Sequence, residues 1–287
     1  MREPQAVVPL SPVIYEPVVR RGLEEDLGRA GDLTTDALIP IGHESAGLLV
    51  ARVAGRICGV QIALSAFRCL DETLELEALV PEGAEVSAGE ALARVSGSTR
   101  AILSAERTAL NLLGRLSGIA SATSGLVHRV AGSGARIACT RKTTPGLRAL
   151  EKYAVRVGGG SNHRFGLDDS VLIKDNHLVA VDSIEQAVER ARESCGHWVR
   201  VEVEVDTLDQ LEEALATDVD AVLLDNMPLD ELEVAVGLCR GRALTEASGG
   251  VTAQTVGAIA ATGVDVISVG WLTHSAPALD VALDLTD

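Results

Sequence analysis

Hydrophobic and polar positions alternate with two different rhythms along this chain. After residue 135 short β-rich runs recur: RIACT (136–140), VLIK (171–174), VRVEVEV (199–205), AVLLD (221–225), RALTEA (242–247) and VDVISVG (264–270). Between the later runs lie segments whose apolar residues recur at helical spacing: TLDQLEEALAT, PLDELEVAVGLCR and TAQTVGAIAATG. One strand and one helix together take about 22 residues, the alternation that forces parallel strands joined by right-handed crossovers. No Gly-x-Gly-x-x-Gly follows the first run, which counts against a dinucleotide-binding sheet. The pattern predicts an α/β protein built on a β/α barrel, complete or incomplete, rather than on a doubly wound sheet.

The earlier part reads differently. From about Val18 to Ser98 it predicts a short helical start (EPVVRRGLEEDLG), a structural turn at AGDLTT and several short strands. VPEGAEVSAGEALARVSG places small β runs between glycine turns, like the compact folds that carry biotin or lipoate, but the region holds no lysine to accept either group. From Thr99 to about Val130, apolar residues at Ile102, Leu103, Ala105, Leu110, Leu113 and Leu116 predict a long helix. Taken alone, Arg107 on that helix reads as a solvated or salt-bridged side chain.

The run VRVEVEVD tests the barrel. Valines 199, 201, 203 and 205 alternate with Arg200, Glu202, Glu204 and Asp206. A barrel strand turns its apolar face outward to the helices, so these charges point inward, where they need partners or a ligand. Other strand ends are polar or small as well: Arg141-Lys142, Lys174, Asp225, Ser248-Gly249-Gly250 and Gly270. Barrels place their reactive groups at the C-terminal ends of their strands.

Composition narrows the chemistry. The formal net charge is -16, and aromatic residues make up only 2%. Acidic surface and few stacking rings exclude nucleic acid as a partner. The longest apolar runs are too short for a membrane span, and the N-terminal MREPQAVVPLSPVIYEP, broken by Pro and Glu, predicts no signal peptide. Five scattered cysteines without CxxC spacing suit reduced thiols, so the expected compartment is the cytoplasm, with neither a zinc site nor a disulfide frame.

Lysine is the informative residue. The three lysines, at 142, 152 and 174, all fall within 33 residues, against 22 arginines in the whole chain. Arg141, Lys142, Arg164 and Lys174 form a basic patch suited to a small polyanion, guanidinium forks gripping carboxylate or phosphate and ammonium groups acting as point charges. Glu204 and Asp225 stand opposite, and carboxylates beside phosphates imply a bridging Mg²⁺. Ser248-Gly249-Gly250 and Gly270 let backbone N–H groups approach a phosphate. His163 and His177 lie near the patch and are open to either a structural or a ligand role, as is His274; His43, His128 and His197 receive none. A Schiff-base lyase using Lys174 is the rival reading, and it leaves the acidic strand ends and the basic cluster unexplained.

Several blocks resemble one family. EDLGRAGDLTTDAL (25–38), ERTALNLLGRLSGIAS (106–121), TRKTTPGLRALEKYAVRVGGGSNHRFGLDDSVLIKDNH (140–177), VEVEV (201–205), LLDN (223–226), EASGG (246–250) and GVDVISVG (263–270) are similar to quinolinate phosphoribosyltransferase, in order and over most of the chain. The resemblance implies an N-terminal α/β sandwich over 1–115, with the tail 275–287 packing back on it, and an open α/β barrel over 116–274. It implies a homodimer with a composite active site, or a hexamer built from such dimers. It implies Mg²⁺-dependent transfer of phosphoribosyl from 5-phosphoribosyl-1-pyrophosphate to quinolinate with decarboxylation, in NAD biosynthesis. Carried over by motif, Arg141, His163, Arg164 and Lys174 hold the quinolinate carboxylates, joined by Arg107 from the second subunit. Lys142 faces the phosphoribosyl donor. Glu204 and Asp225 contact the ribose and the Mg²⁺–pyrophosphate, and Ser248, Gly249, Gly250 and Gly270 receive a phosphate. A related enzyme acting on another pyridine or pyrimidine acid, and a non-catalytic binding paralogue, remain alternatives.

Overall fold

The computed structural model describes residues 7–286. The first six residues of the N-terminal stretch, and Asp287 of the tail, lie outside the described residues. The chain divides into two compact units, one of residues 1–124, 143–159 and 272–287, the other of 125–142 and 160–271.

The first unit is built around a four-stranded antiparallel sheet in the order Val281–Thr286, Glu44–Ala51, Ala91–Ser98, Glu75–Ala78. The C-terminal strand therefore pairs with one near the start of the chain. Leu49, Leu92, Ala93 and Val95 from the sheet, Phe67 from helix Val60–Leu70, and Ile102 and Leu113 from the long helix are wholly buried. Helix Thr99–Arg129 accounts for the long periodic stretch. A Cβ added at its Gly118 would stand 2.0 Å from the carbonyl oxygen of Pro277, so only glycine lets the C-terminal segment lie against this helix.

Three local expectations needed revision. AGDLTT is not only a turn: Asp32 accepts the Thr35 backbone N–H at 3.0 Å and caps a short helix, Leu33–Leu38. Helix Val60–Leu70 falls where strands were expected. It buries Val60 and Ile62 to Phe67, leaving Gln61 and Arg68 exposed on one narrow face. Helix Arg148–Val157 lies where no element was expected, and it buries the charged Glu151 and Lys152 at 0% and 1% exposure.

The second unit holds a six-stranded sheet, parallel throughout. The strands are Arg136–Ala138, Val171–Ile173, Val201–Val205, Ala221–Asp225, Leu244–Ser248 and Val266–Ser268, each close to or inside a run seen in the sequence. The first strand pairs with the last, the others pair in succession, and the seam falls between the first and the second. That is the connectivity of an open barrel. Helices Ile184–Ser194, Leu208–Leu215, Leu229–Cys239 and Val256–Ala261 cross between the later strands. Ser183 and Thr207 cap the first two by accepting the backbone N–H of Gln186 and Gln210. Val201, Val203 and Val205 are fully buried, while Glu202 and Glu204 project from the other face of the same strand.

Candidate active site

Parallel register sets the site in levels. Glu204 pairs with Leu223, and Leu223 with Glu246; one level further on, Asp225 pairs with Ser248. Because side chains alternate along a strand, these residues share one face and stack toward the strand ends. There they line a cavity of about 350 Å³ together with Arg141, Lys142, His163, Arg164, Lys174 and Ser268. Eight residues proposed from sequence thus meet in one place: Arg141, Lys142, His163, Arg164, Lys174, Glu204, Asp225 and Ser248.

Each side chain has a local reason for its position. Thr140 accepts the backbone N–H of Lys142 at 3.0 Å, turning the chain as it leaves the first strand. Lys174 follows the second strand directly; its ammonium group donates to Glu204 as an ion pair across neighbouring strands. His177 is a cap: its Nδ1 accepts the Lys174 backbone N–H at 2.9 Å. Arg164 donates from Nη1 to the Ser170 carbonyl at 2.8 Å. Burial, and then the neighbouring Arg141 guanidinium, pull Arg164 below the usual arginine range. The Glu202 and Asp169 carboxylates act on Arg164 in the opposite direction.

Beyond Asp225 and Ser248 the strand ends are shaped by backbone, and Gly249, Gly250 and Gly270 are not among the cavity's lining residues. Gly249 and Gly250 follow Ser248 with φ of +94° and +57°, conformations open to glycine. A Cβ at Gly249 would stand 2.1 Å from Asn226 Oδ1. Asn226 itself adopts φ of +53°, donates its backbone N–H to the Ser248 carbonyl at 2.9 Å and its Nδ2 to Asp225 at 2.6 Å. It therefore ties two strand ends together and aims the Asp225 carboxylate. Gly270 lies two residues past Ser268, at the start of the turn into helix Trp271–His274.

The sequence reading left out Asn226, Ser268, Glu202 and Glu246 as site residues. Strand alternation already marked Glu202 as inward-facing, and Glu246 stands two residues before Ser248, on the same face. Burial pushes the Glu246 carboxyl up to about 7, with the Glu202 charge adding to the shift. Both glutamates keep an Oε1 that makes no hydrogen bond. His163 lines the cavity, but both ring nitrogens face protein. Its Nδ1 accepts the Arg164 backbone N–H at 2.7 Å, and its Nε2 lies 3.1 Å from Glu202 and 3.4 Å from Glu246.

Arg107 is not among the residues lining this cavity. It lines one of about 520 Å³ in the first unit, with Arg21, Glu25, Asp26 and Asn111. Its side chain is 63% exposed, 3.5 Å from Glu106. That larger cavity balances its charges locally, so chemistry and not volume selects the strand-end cavity. His274 lies in the first unit's residues and contacts Ser275.

Glu204 and Asp225 suit a magnesium ion. They are hard oxygen donors in one open cavity, and they are few, as expected of an ion that keeps waters and takes further ligands from phosphates. Among the described residues they do not converge with a third His, Cys or carboxylate, whereas His163, Glu202 and Glu246 do.

Known proteins match this chain over nearly its whole length. Family models described as quinolinate phosphoribosyl transferase, N-terminal domain, and quinolinate phosphoribosyl transferase, C-terminal domain, match residues 32–117 and 119–284. The nicotinate-nucleotide pyrophosphorylase [carboxylating] of Mycobacterium leprae is 46% identical over 275 residues, covering 93% of this chain and 95% of that protein. The probable nicotinate-nucleotide pyrophosphorylase [carboxylating] of Bacillus subtilis is 44% identical over 263 residues, covering 91% and 90%. The crystal structure of NadC from Streptococcus pyogenes superposes with a TM-score of 0.93 at 38% identity, covering 98% of this chain and 100% of that one. With both domain models matched in order and near-complete relatives above 40% identity, the chain belongs to the quinolinate phosphoribosyl transferase family.

Proposed function

We infer that this protein is a pentosyltransferase of NAD biosynthesis. It joins the ring nitrogen of quinolinate to the anomeric carbon of 5-phosphoribosyl-1-pyrophosphate and releases pyrophosphate and CO₂, leaving nicotinate mononucleotide. One observation carries the reading: a single cavity at the strand ends collects Arg141, Arg164, Lys142 and Lys174 opposite Glu204 and Asp225, in a chain of this family.

The residues divide the work by charge. Arg141 and Arg164 offer two-point contacts to carboxylates and Lys174 a point charge, a set suited to a dicarboxylate over a monocarboxylate. Holding both carboxylates fixes the ring nitrogen against the sugar, which removes much of the entropic barrier to attack. Lys142, on the rim, faces the pyrophosphate and stabilises charge on the leaving group. Departure of pyrophosphate develops positive charge on the ribose, and Glu204 and Asp225 are placed to stabilise it. Ser248 and the Gly249-Gly250 backbone receive the 5-phosphate, with Gly270 closing the turn beside them. Magnesium held by Glu204 and Asp225, directly or through water, would neutralise pyrophosphate charge. After ribosylation the ring nitrogen is cationic, so the carbon beside it can keep the electron pair when its carboxylate leaves as CO₂.

Arg107 belongs to this reading as a contribution from a second copy, giving a composite site in a dimer or a hexamer of dimers. The expected compartment is the cytoplasm; among the described residues no helix is long and apolar enough to cross a membrane. Incubation with quinolinate, 5-phosphoribosyl-1-pyrophosphate and Mg²⁺ should give nicotinate mononucleotide and pyrophosphate in equal amounts. Nicotinate in place of quinolinate should give at most traces. Equal turnover of nicotinate, or none of quinolinate, would sink the assignment.

A further inference from the structure

Beneath the cations lies a group that this division of labour does not use. Glu202 and Glu246 are 8% and 5% exposed, on different strands, with His163 between them. Nε2 of His163 stands 3.1 Å from Glu202 Oε2 and 3.4 Å from Glu246 Oε1. Buried carboxylates left partly unsatisfied are costly, so their retention calls for a compensating role.

We propose that Glu202 and Glu246 are a positioning pair for quinolinate binding: they hold His163 as its Nε2–H tautomer, and His163 in turn fixes the backbone that carries Arg164. The proposal rests on the reading of this cavity as the dicarboxylate site. The ring nitrogens supply the argument. An Nε2 lone pair would be repelled by Glu202 Oε2 at 3.1 Å, so Nε2 carries a proton. Nδ1 accepts the Arg164 N–H at 2.7 Å, so it carries none. Turning the ring would break both arrangements together. The Arg164 guanidinium, anchored at its other end on the Ser170 carbonyl, would then lose the backbone that sets its reach.

The same three residues satisfy the spacing of a cation site, but the tautomer counts against one. A metal ion would need the Nε2 lone pair and would leave the proton on Nδ1, where the Arg164 N–H already points. The cluster is also a partition. His163, Arg164 and Glu246 line both the strand-end cavity and a second cavity, of about 600 Å³, that reaches Arg136 and Arg200 at the opposite ends of the strands. A ring locked from below keeps that partition in place.

The charges facing Glu246 are Glu202 and Glu204 on the neighbouring inward face, Asp225, His163, Arg164, Arg141 and Lys174, with the Ser268 hydroxyl bonded to it. Removing a carboxylate among these cations would, by charge alone, tighten binding of a dianion. A positioning role predicts the opposite sign. For Glu246→Ala, KM for quinolinate should rise by about 10-fold, the equivalent of roughly 1.4 kcal/mol. KM for 5-phosphoribosyl-1-pyrophosphate should stay unchanged. Glu246→Gln, which keeps shape and an acceptor oxygen, should restore KM for quinolinate to near the wild-type value.

The independent readout is ¹⁵N NMR of histidine-labelled protein, with the His163 signals assigned from His163→Gln. Wild type and Glu246→Gln should show a neutral ring protonated at Nε2. An Nδ1–H ring, a metal-shifted Nε2, a fall in quinolinate KM on Glu246→Ala, or equal rises in both KM values would overturn the proposal. Should the wild-type protein fail to turn over quinolinate, the functional reading falls, while the tautomer still decides whether the pair holds the ring.

Discussion

Both units bury carboxylates, and they treat them in opposite ways. In the first unit Glu151 is wholly buried, and both its oxygens are in use. Oε1 accepts from Arg115 Nη2 and the Thr144 hydroxyl, each at 2.8 Å, and Oε2 accepts the Thr144 backbone N–H at 3.0 Å. Arg115 is satisfied in turn by the Thr273 and Ala276 carbonyls. In the second unit Glu202 and Glu246 are almost as deeply buried, yet Oε1 of each makes no hydrogen bond, that of Glu246 lying 3.4 Å from His163 Nε2. A closed network stabilises a fold, whereas an open one facing guanidinium groups stores electrostatic potential for a ligand. Burial alone does not mark function; unmet hydrogen-bonding capacity beside a cavity does.

The sharpest break of that contrast is Glu151→Ala. It strands the Arg115 charge and should lower stability by about 3–5 kcal/mol, read as a shift in urea midpoint. KM for both substrates should be unaffected in the protein that folds. A change in KM for quinolinate alone would place Glu151 with the site and erase the distinction.

In the second unit the effects should appear in kinetics. Arg141→Ala should reduce kcat/KM for quinolinate by about 2–4 kcal/mol, the range for loss of a charge-assisted two-point contact, with a smaller change for the phosphoribosyl donor. Lys142→Ala should reverse that preference. Equal losses for both substrates in both variants would show that the adjacent cations act as one.

Gly249→Ala sharpens the comparison at the phosphate end. An added methyl would meet Asn226 at 2.1 Å, from a backbone at φ +94°. About 1–3 kcal/mol of backbone strain follows, and it should appear as a raised KM for 5-phosphoribosyl-1-pyrophosphate.

The smallest effect concerns pH. The Glu246 carboxyl is raised from 4.5 to about 7 in the folded chain. Between those values the folded state holds a proton that the unfolded state releases, so this group's contribution to stability falls as pH rises from 4.5 to about 7 and stays low above it. Glu246→Gln has no such carboxyl. Its Tm relative to wild type should therefore be higher at pH 8 than at pH 5, and a difference independent of pH would contradict the raised carboxyl.

Much of this was legible in the sequence, for identifiable reasons. Alternation in VRVEVEV set the inward face, and the polar strand ends marked the mouth, because both depend only on period and handedness. Buried helices were not legible. Val60–Leu70 leaves only a narrow exposed face, and Arg148–Val157 buries Glu151, whose partners Arg115 and Thr144 lie outside that helix. Asn226 stood out only as one of four asparagines, placed just after a strand; its role comes from a left-handed backbone and a glycine just past the next strand. His163 was legible as a site residue, but the direction of its ring nitrogens depends on two glutamates at residues 202 and 246.

The most direct test of the whole account is the fate of each quinolinate carboxylate. Two samples, labelled in the carboxyl group at ring position 2 or at position 3, are incubated with the protein, 5-phosphoribosyl-1-pyrophosphate and Mg²⁺. The account predicts labelled CO₂ from the position-2 sample only, in step with pyrophosphate, and the position-3 label retained in nicotinate mononucleotide. Pyrophosphate release without labelled CO₂, or label lost from position 3, would contradict it.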